Sequence, residues 1–224
     1  AASSASVAEL VFAHLFSMTR FLSDSNRKMP MVGDTDFKGL KKSYAKGQEL
    51  SGQTLGIIGF GRIGQEVAKR AIGLGMKVMT HDKFIDEATI TLEFFNEDKK
   101  SFTIETESLE EVLKNSDFIT LHIPKVGNKA VIGAEEIGMM KTGAGIINAS
   151  RGGLIDETAL MFALDKEKLA YAGLDVFDNE PNPSIHICMH NAISLTPHIG
   201  AATLEAQDRI GTELANQIAT HFGE

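Results

Sequence analysis

Between residues 6 and 21 the apolar side chains Val7, Leu10, Val11, Leu15 and Met18 recur at intervals of three and four, the spacing of a helix with one apolar face. Ser6, with Glu9 three residues on, reads as its capped start. Residues 23–48 are rich in Lys, Gly, Asp and Ser and sustain no period, so they read as a connector wrapping some surface. The pattern then changes. Residues 54–60 form a short apolar strand run, 62–74 have a helical period, and 76–81 form a second strand closed by Asp82. Residues 89–95 and 101–106 alternate around a polar turn, which predicts a surface hairpin inserted between two units, with no chemistry expected there. The remaining pattern predicts helices over 109–114, 130–140, 157–165 and 204–221, and strands over 118–123, 145–149, 170–177 and 192–195. Strands that alternate with helices pair in parallel through crossovers, so the expected fold is α/β, a doubly wound sheet covered on both faces.

Composition narrows the function classes. With 224 residues, 43% of them hydrophobic, the chain can bury one core, or one core with appended elements. A formal charge of −8 without any basic run argues against a nucleic-acid partner, which would need clustered Lys and Arg. The single cysteine, Cys188, excludes an intramolecular disulfide and a cysteine-built metal cluster and suits a reducing compartment. No apolar run is long enough to span a bilayer, and the first seven residues lack the basic start of a signal peptide. The expectation is a cytoplasmic location with no membrane partner. Because the chain opens without Met and enters a helical pattern at once, it reads as an interior part of a longer protein.

Gly59, Gly61 and Gly64 stand as Gly-x-Gly-x-x-Gly between the first strand of the alternating region and its helix. The first glycine permits a tight turn, the second lets backbone approach a pyrophosphate, and the third allows helix and strand to pack closely; the helix start then offers free amides to phosphates. Such a turn can also be purely structural. Asp82 changes the weighing, because it ends the next strand at about the 20-residue distance at which a carboxylate meets an adenosine ribose. A carboxylate there repels a 2′-phosphate, with Lys83 the only nearby cation to offset it, so NAD is expected rather than NADP. Flavin and S-adenosylmethionine enzymes use related turns, and the rest of the chain has to separate them.

Three polar groups stand just past strand ends in the second half: Arg151, Glu180 and His198. Reduction of a 2-oxo acid needs a cation for the carboxylate and a proton donor for the carbonyl. Arginine offers a planar fork that matches a carboxylate, and histidine titrates near neutrality, so it can give and take the proton. A neighbouring carboxylate would fix the histidine tautomer, and Glu180 is the candidate. Singly, Arg151 could pin the turn through Gly152 and Gly153, Glu180 could be a solvated loop charge, and His198 could cap the following turn. Together, downstream of a nucleotide turn, they point to chemistry.

At these residues a family resemblance emerges. The segments 6–11, 59–64, 121–124 (Leu-His-Ile-Pro), 148–153 (Asn-Ala-Ser-Arg-Gly-Gly), 174–177 with Glu180-Pro181, and 196–200 (Thr-Pro-His-Ile-Gly) resemble, in order, the D-2-hydroxyacid dehydrogenases. The resemblance implies a Rossmann-like NAD-binding domain with most of the substrate domain absent. It also implies that Arg151 binds the substrate carboxylate, that His198 is the acid/base and that Glu180 is its partner. Arg62 and Ile63 would line the pyrophosphate and Asp82 the ribose. His122, Pro124, Ala149, Ser150, Arg151, Asp175, His198, Gly200 and Ala201 would lie toward the nicotinamide end, although His122 reads equally as a satisfied histidine at a strand end. Glu180 argues against formate dehydrogenases, whose pattern has an amide there. The wording Asn148 to Gly152, with Glu205-Ala206-Gln207 and Arg209-Ile210-Gly211, most resembles the phosphoglycerate dehydrogenase branch, which opens serine biosynthesis. Two departures stand out: no Trp precedes the nucleotide fold, and Lys125 to Asn128 replace the usual Leu-Thr stretch in the nicotinamide-side loop.

The division implied is 1–50 as leading helix and connector, 51–198 as NAD-binding domain, and 199–224 as a segment returning to the substrate domain. Relatives dimerise through the nucleotide domain and its leading helix, so a homodimer is expected, although an ordinary core-facing helix fits residues 6–21 nearly as well. His186, Cys188 and His190 superficially resemble metal ligands, but irregular surrounding sequence and no carboxylate cluster lead us to expect no metal. Two rivals accompany this reading: a glyoxylate or hydroxypyruvate reductase of the same family, and a non-catalytic NAD-sensing module.

Overall fold

The computed structural model describes residues 2–223. Six parallel strands form the main sheet in the order β2-β1-β5-β6-β7-β8. They are β1 (Thr54–Ile58), β2 (Lys77–His81), β5 (Phe118–Leu121), β6 (Ala144–Asn148), β7 (Leu169–Leu174) and β8 (Ile193–Leu195). The chain runs outward from β1 to β2, then crosses back to place β5 on the other side of β1. Strand order therefore reverses beside β1, and the crevice at the carboxyl ends of β1 and β5 is where open sheets of this kind receive ligands.

Side-chain alternation splits the core in two. Ile57 and Ile147 point to the face covered by α1 (Ser4–Thr19) and α4 (Arg62–Gly73), while their neighbours Ile58 and Ile146 point to the face covered by α5 (Leu109–Asn115), α6 (Ala134–Met139) and α7 (Glu157–Asp165). Both faces being buried explains why the strands read as continuous apolar runs. The leading helix α1 belongs to the first of these cores: Val7, Val11 and Leu15 pack with Leu55, Ile57 and Ile147.

Several expectations need correction. The leading helix starts at Ser4, and Ser6 does not cap it; its hydroxyl donates to the carbonyl of Gly200 at 2.7 Å. Glu9 does not close a capping box but pairs with Arg70 on α4 at 2.9 Å. The aperiodic connector contains two helices, α2 (Leu22–Val32) and α3 (Phe37–Ser43). Helix α2 buries none of its side chains, so its period leaves no trace in the apolar pattern. Helix α3 is capped by the Asp36 carboxylate, which accepts from Gly39 N at 3.0 Å, and buries only Leu40. The helix expected over 130–140 begins at Ala134, and a short helix α8 (Ile185–Met189) was not anticipated.

The expected hairpin is present as antiparallel β3 (Glu87–Glu93) and β4 (Lys99–Glu105). It leaves through Thr106, which bridges in parallel to Thr80 on β2, so its exit extends the edge of the main sheet. The last helix is α9 (Leu204–Phe222), of which only Ala206 is buried. No single helix among the described residues is long and apolar enough to cross a membrane.

Candidate active site

The glycine turn connects β1 to α4 at the reversal point. Gly59 has φ of 98°, and a Cβ there would lie 2.4 Å from the carbonyl oxygen of His122 at the end of β5. A Cβ on Gly64 would lie 2.1 Å from the carbonyl oxygen of Gly59, so helix and strand can only meet this closely without a side chain. Gly61 differs: nothing stands within 4 Å of the space its Cβ would fill. Its missing side chain serves nothing inside the chain, whereas an open approach to the amino end of α4 is what a pyrophosphate requires. Arg62 is exposed and Ile63 half-buried at the start of this helix.

Asp82 ends β2 beside this turn. One carboxylate oxygen accepts from Phe60 N at 2.7 Å, inside the glycine turn, and the other from Phe84 N at 2.8 Å and Ile85 N at 3.2 Å. Asp82 thus locks the turn and its own loop together. Across the crevice, His122 takes Nε2 to within 3.0 Å of Thr120 Oγ1, while Nδ1 is sealed from water without a protein partner among the described residues. Burial pushes the His122 pKa down to about 3, so the ring is neutral. A buried, unpartnered ring nitrogen at a ligand crevice suits a bound group that completes it. The open approach at Gly61 and the orphaned nitrogen of His122 together fit a dinucleotide.

The loops after β6, β7 and β8 assemble a second cluster. Asn148 is buried at the end of β6; its amide donates to the carbonyl of Arg151 at 2.8 Å and its oxygen accepts from Ser150 N at 3.1 Å. The Ser150 hydroxyl donates to the carbonyl of Ile123 at 2.9 Å, tying this loop to the one after β5. Ala149 is buried between them, while Pro124 and the Arg151 side chain are exposed. After β7, the buried Asp175 accepts from Thr196 Oγ1 at 2.6 Å, Ile199 N at 2.8 Å and Gly200 N at 2.8 Å. Its carboxylate therefore holds the loop 196–200 from inside, rather than standing open to a ligand. Gly200 is buried and Ala201 exposed.

That loop carries His198, whose backbone is left-handed with φ of 55°. Such a conformation costs a residue with a side chain on the order of 1–3 kcal/mol and persists where surrounding bonds impose it, as the two amides held by Asp175 do here. His198 Nδ1 stands 2.8 Å from Glu180 Oε2, and Glu180 Oε1 accepts from Phe177 N at 2.9 Å. The hydrogen bond from His198, the amide of Phe177 and, with smaller weight, the nearby charges of His198 and Arg151 hold the Glu180 carboxyl below the usual carboxylate range. Arg151, Glu180 and His198, separated by 47 residues in sequence (151 to 198), are thus brought to one rim of the sheet.

Sequence reasoning missed the internal supports of this rim. Asn148 appeared only as part of a motif, and Ser194, Thr196 and His14 had no stated role. The available signal was His14 itself, a polar residue on the apolar stripe of Val7, Val11 and Met18. Elsewhere, His190 lies 3.5 Å from Asp165, and among the described residues no three His, Cys, Asp or Glu side chains converge as metal ligands would.

Comparison with known proteins follows the same lines. The family described as D-isomer specific 2-hydroxyacid dehydrogenase, NAD binding domain, matches residues 12–200. A hydroxypyruvate reductase of Thermotoga maritima is 40% identical over 228 aligned residues, covering 99% of this chain and 68% of its own length. A D-3-phosphoglycerate dehydrogenase of Methanocaldococcus jannaschii is 41% identical, covering 97% of this chain but only 39% of its own length. Among solved structures, apo D-mandelate dehydrogenase of Rhodotorula graminis superposes with a TM-score of 0.84 at 26% identity, over 97% of this chain and 62% of that one.

Proposed function

Because this chain belongs to the D-isomer specific 2-hydroxyacid dehydrogenases, matching their NAD-binding domain, we propose that it serves an enzyme interconverting a D-2-hydroxy acid and a 2-oxo acid, with 3-phosphoglycerate as substrate. The observation that carries the reaction is the 2.8 Å contact between His198 and Glu180 on a rim shared with Arg151. NAD, when bound, supplies the hydride acceptor and donor. Gly59, Gly61, Arg62, Ile63 and Gly64 would hold its pyrophosphate, Asp82 its ribose, and His122, Pro124, Ala149, Ser150, Gly200 and Ala201 would wall its nicotinamide end, with Asp175 behind them holding the loop 196–200.

Glu180 accepts from Nδ1 of His198, which fixes the tautomer and leaves Nε2 for the substrate. In oxidation Nε2 takes the proton of the C2 hydroxyl; in reduction it returns it. Arg151 offers its guanidinium to the substrate carboxylate, fixing which carbon stands before the histidine. Support for 3-phosphoglycerate comes from the wording of residues 148–152 and 205–211 and from the 41% identity to the Methanocaldococcus enzyme. A second reading, hydroxypyruvate reduction, is favoured by the Thermotoga relative, whose length this chain covers more fully. We further propose that residues 51–198 are the NAD-binding domain, that 199–224 lead back toward a substrate domain, that the protein is cytoplasmic, and that it pairs as a homodimer through residues 1–50.

The test uses protein expressed from its full reading frame, with NADH and either phosphohydroxypyruvate, hydroxypyruvate or glyoxylate. The first should turn over fastest, and His198→Asn should lower kcat by about 10² to 10⁴-fold without weakening NADH binding. Preference for hydroxypyruvate would transfer the assignment to the second reading, and no turnover of any 2-oxo acid would overturn both. The present chain alone should bind NADH but turn over poorly.

A further inference from the structure

Helix α1 touches the rim at two places. Near its start, Ser6 donates to the carbonyl of Gly200 at 2.7 Å. Two turns later, His14 reaches the other end of the same loop, with Nδ1 2.9 Å from Ser194 Oγ and Nε2 3.1 Å from Thr196 Oγ1. The seat is specific: a Cβ on Gly173 would lie 2.9 Å from the His14 side chain, so β7 makes room for the ring by lacking one.

The direction of each hydrogen bond follows from the donors and acceptors available. The Asp175 carboxylate accepts from Thr196, Ile199 N and Gly200 N, which commits the only hydroxyl hydrogen of Thr196 to Asp175. Thr196 Oγ1 can then only accept from His14, so Nε2 of His14 carries a hydrogen. Burial lowers the His14 pKa, against a smaller opposing pull from Asp175, so the ring is neutral and Nδ1 accepts from the Ser194 hydroxyl. A directed chain results: Ser194 donates to His14, His14 to Thr196 and Thr196 to Asp175, whose carboxylate also accepts from the consecutive amides of Ile199 and Gly200 that follow His198. The left-handed backbone of His198 sits beside this frame, with its Nδ1 2.8 Å from Glu180 Oε2.

We propose that His14 is a positioning residue for His198, acting through Thr196 and Asp175 to set the loop from which the imidazole is presented; as a role in catalysis this rests on the function proposed above. Leucine fills a similar volume but can neither donate to Thr196 nor accept from Ser194. Glutamine keeps one donor and one acceptor. Thr196→Val breaks the same chain at its next link without changing a residue of the helix.

The experiment compares His14→Leu, His14→Gln and Thr196→Val in protein from the full reading frame. His14→Leu and Thr196→Val should each lower kcat about tenfold or more on the best 2-oxo acid, with NADH affinity within about twofold of the parent. His14→Gln should recover most of that loss. In parallel, the side-chain nitrogen resonances of His198, followed by NMR without substrate, should move in His14→Leu toward those of Glu180→Gln, and return in His14→Gln. If His14→Leu does not fold, Thr196→Val and His14→Gln carry the comparison. Parental kcat and unshifted His198 resonances in Thr196→Val and His14→Leu would overturn the proposal, as would a loss in His14→Gln as deep as in His14→Leu. Were the parent inactive on every 2-oxo acid, the functional reading would fall while the NMR comparison still decided whether His14 positions His198.

Discussion

At the scale of single residues, the glycine turn separates two reasons for the same amino acid. Gly64 is needed by the fold, because a Cβ would meet the carbonyl oxygen of Gly59 at 2.1 Å, with backbone that cannot swing aside. Gly61 is needed by whatever approaches it, since its own chain leaves the space empty and its φ of −73° suits any residue. Gly64→Ala should therefore destabilise the protein by about 1–3 kcal/mol, the usual cost of overpacking a tight contact. Gly61→Ala should melt with the parent yet lose at least tenfold in NADH affinity by calorimetric titration. Equal melting and equal affinity for both variants would mean that the turn is neither packed nor occupied as described. Candidates for this site could be chosen from the sequence because each proposed chemistry demands few residue types: glycines for close approach, an arginine such as Arg151 for a carboxylate, a histidine such as His198 for a proton. Their partners were not legible. Asp175 reads from sequence as a wall of the cofactor site, but its carboxylate is spent on Thr196, Ile199 and Gly200, donors that lie 21 to 25 residues away in the chain and reveal themselves only in three dimensions.

At the scale of elements, what could be read was what is buried. Strands covered on both faces leave apolar runs, and α1 and α4 leave stripes, because each has a core to face. Helix α2 has none, so its eleven residues form a helix that the apolar pattern cannot announce. The β3–β4 hairpin lies between these cases. Its alternation was visible, but the assignment to the surface holds for only one face: Ile90 is 1% exposed in the core beneath α4, whereas Phe95 at the turn is wholly exposed. Ile90→Ala should cost about 2–5 kcal/mol in chemical denaturation, the range for a buried aliphatic truncated to alanine. Phe95→Ser should change stability by no more than about 0.5 kcal/mol. A hairpin that was merely appended would show the small effect at both positions.

At the scale of the whole molecule, two of the groups of apolar side chains left exposed lie on helices that bury almost nothing. Helices α2 and α3 expose Leu22 (59%), Met31 (75%) and Phe37 (59%), and α9 exposes Leu214 (54%) and Ile218 (50%). Where such side chains form a contiguous patch, a partner usually covers it. The two patches make different claims on a partner. If the proposed homodimer forms through residues 1–50, the α2–α3 patch is the one covered by a second copy, and a stable pair should bury about 1,200–2,000 Å² in all. Met31 and Phe37 are exposed in the monomer, so replacing both with Asp removes no buried contact and should leave the melting temperature of the single chain nearly unchanged, while placing two charges on each side of the interface. Sedimentation equilibrium at tens of micromolar should then give a dimer for the parent, a monomer for Met31→Asp/Phe37→Asp, and a dimer still for Leu214→Asp. Dissociation by Leu214→Asp alone would move the contact to α9. A parent that stays monomeric throughout would leave α2 and α3 without the partner that accounts for their exposed apolar side chains.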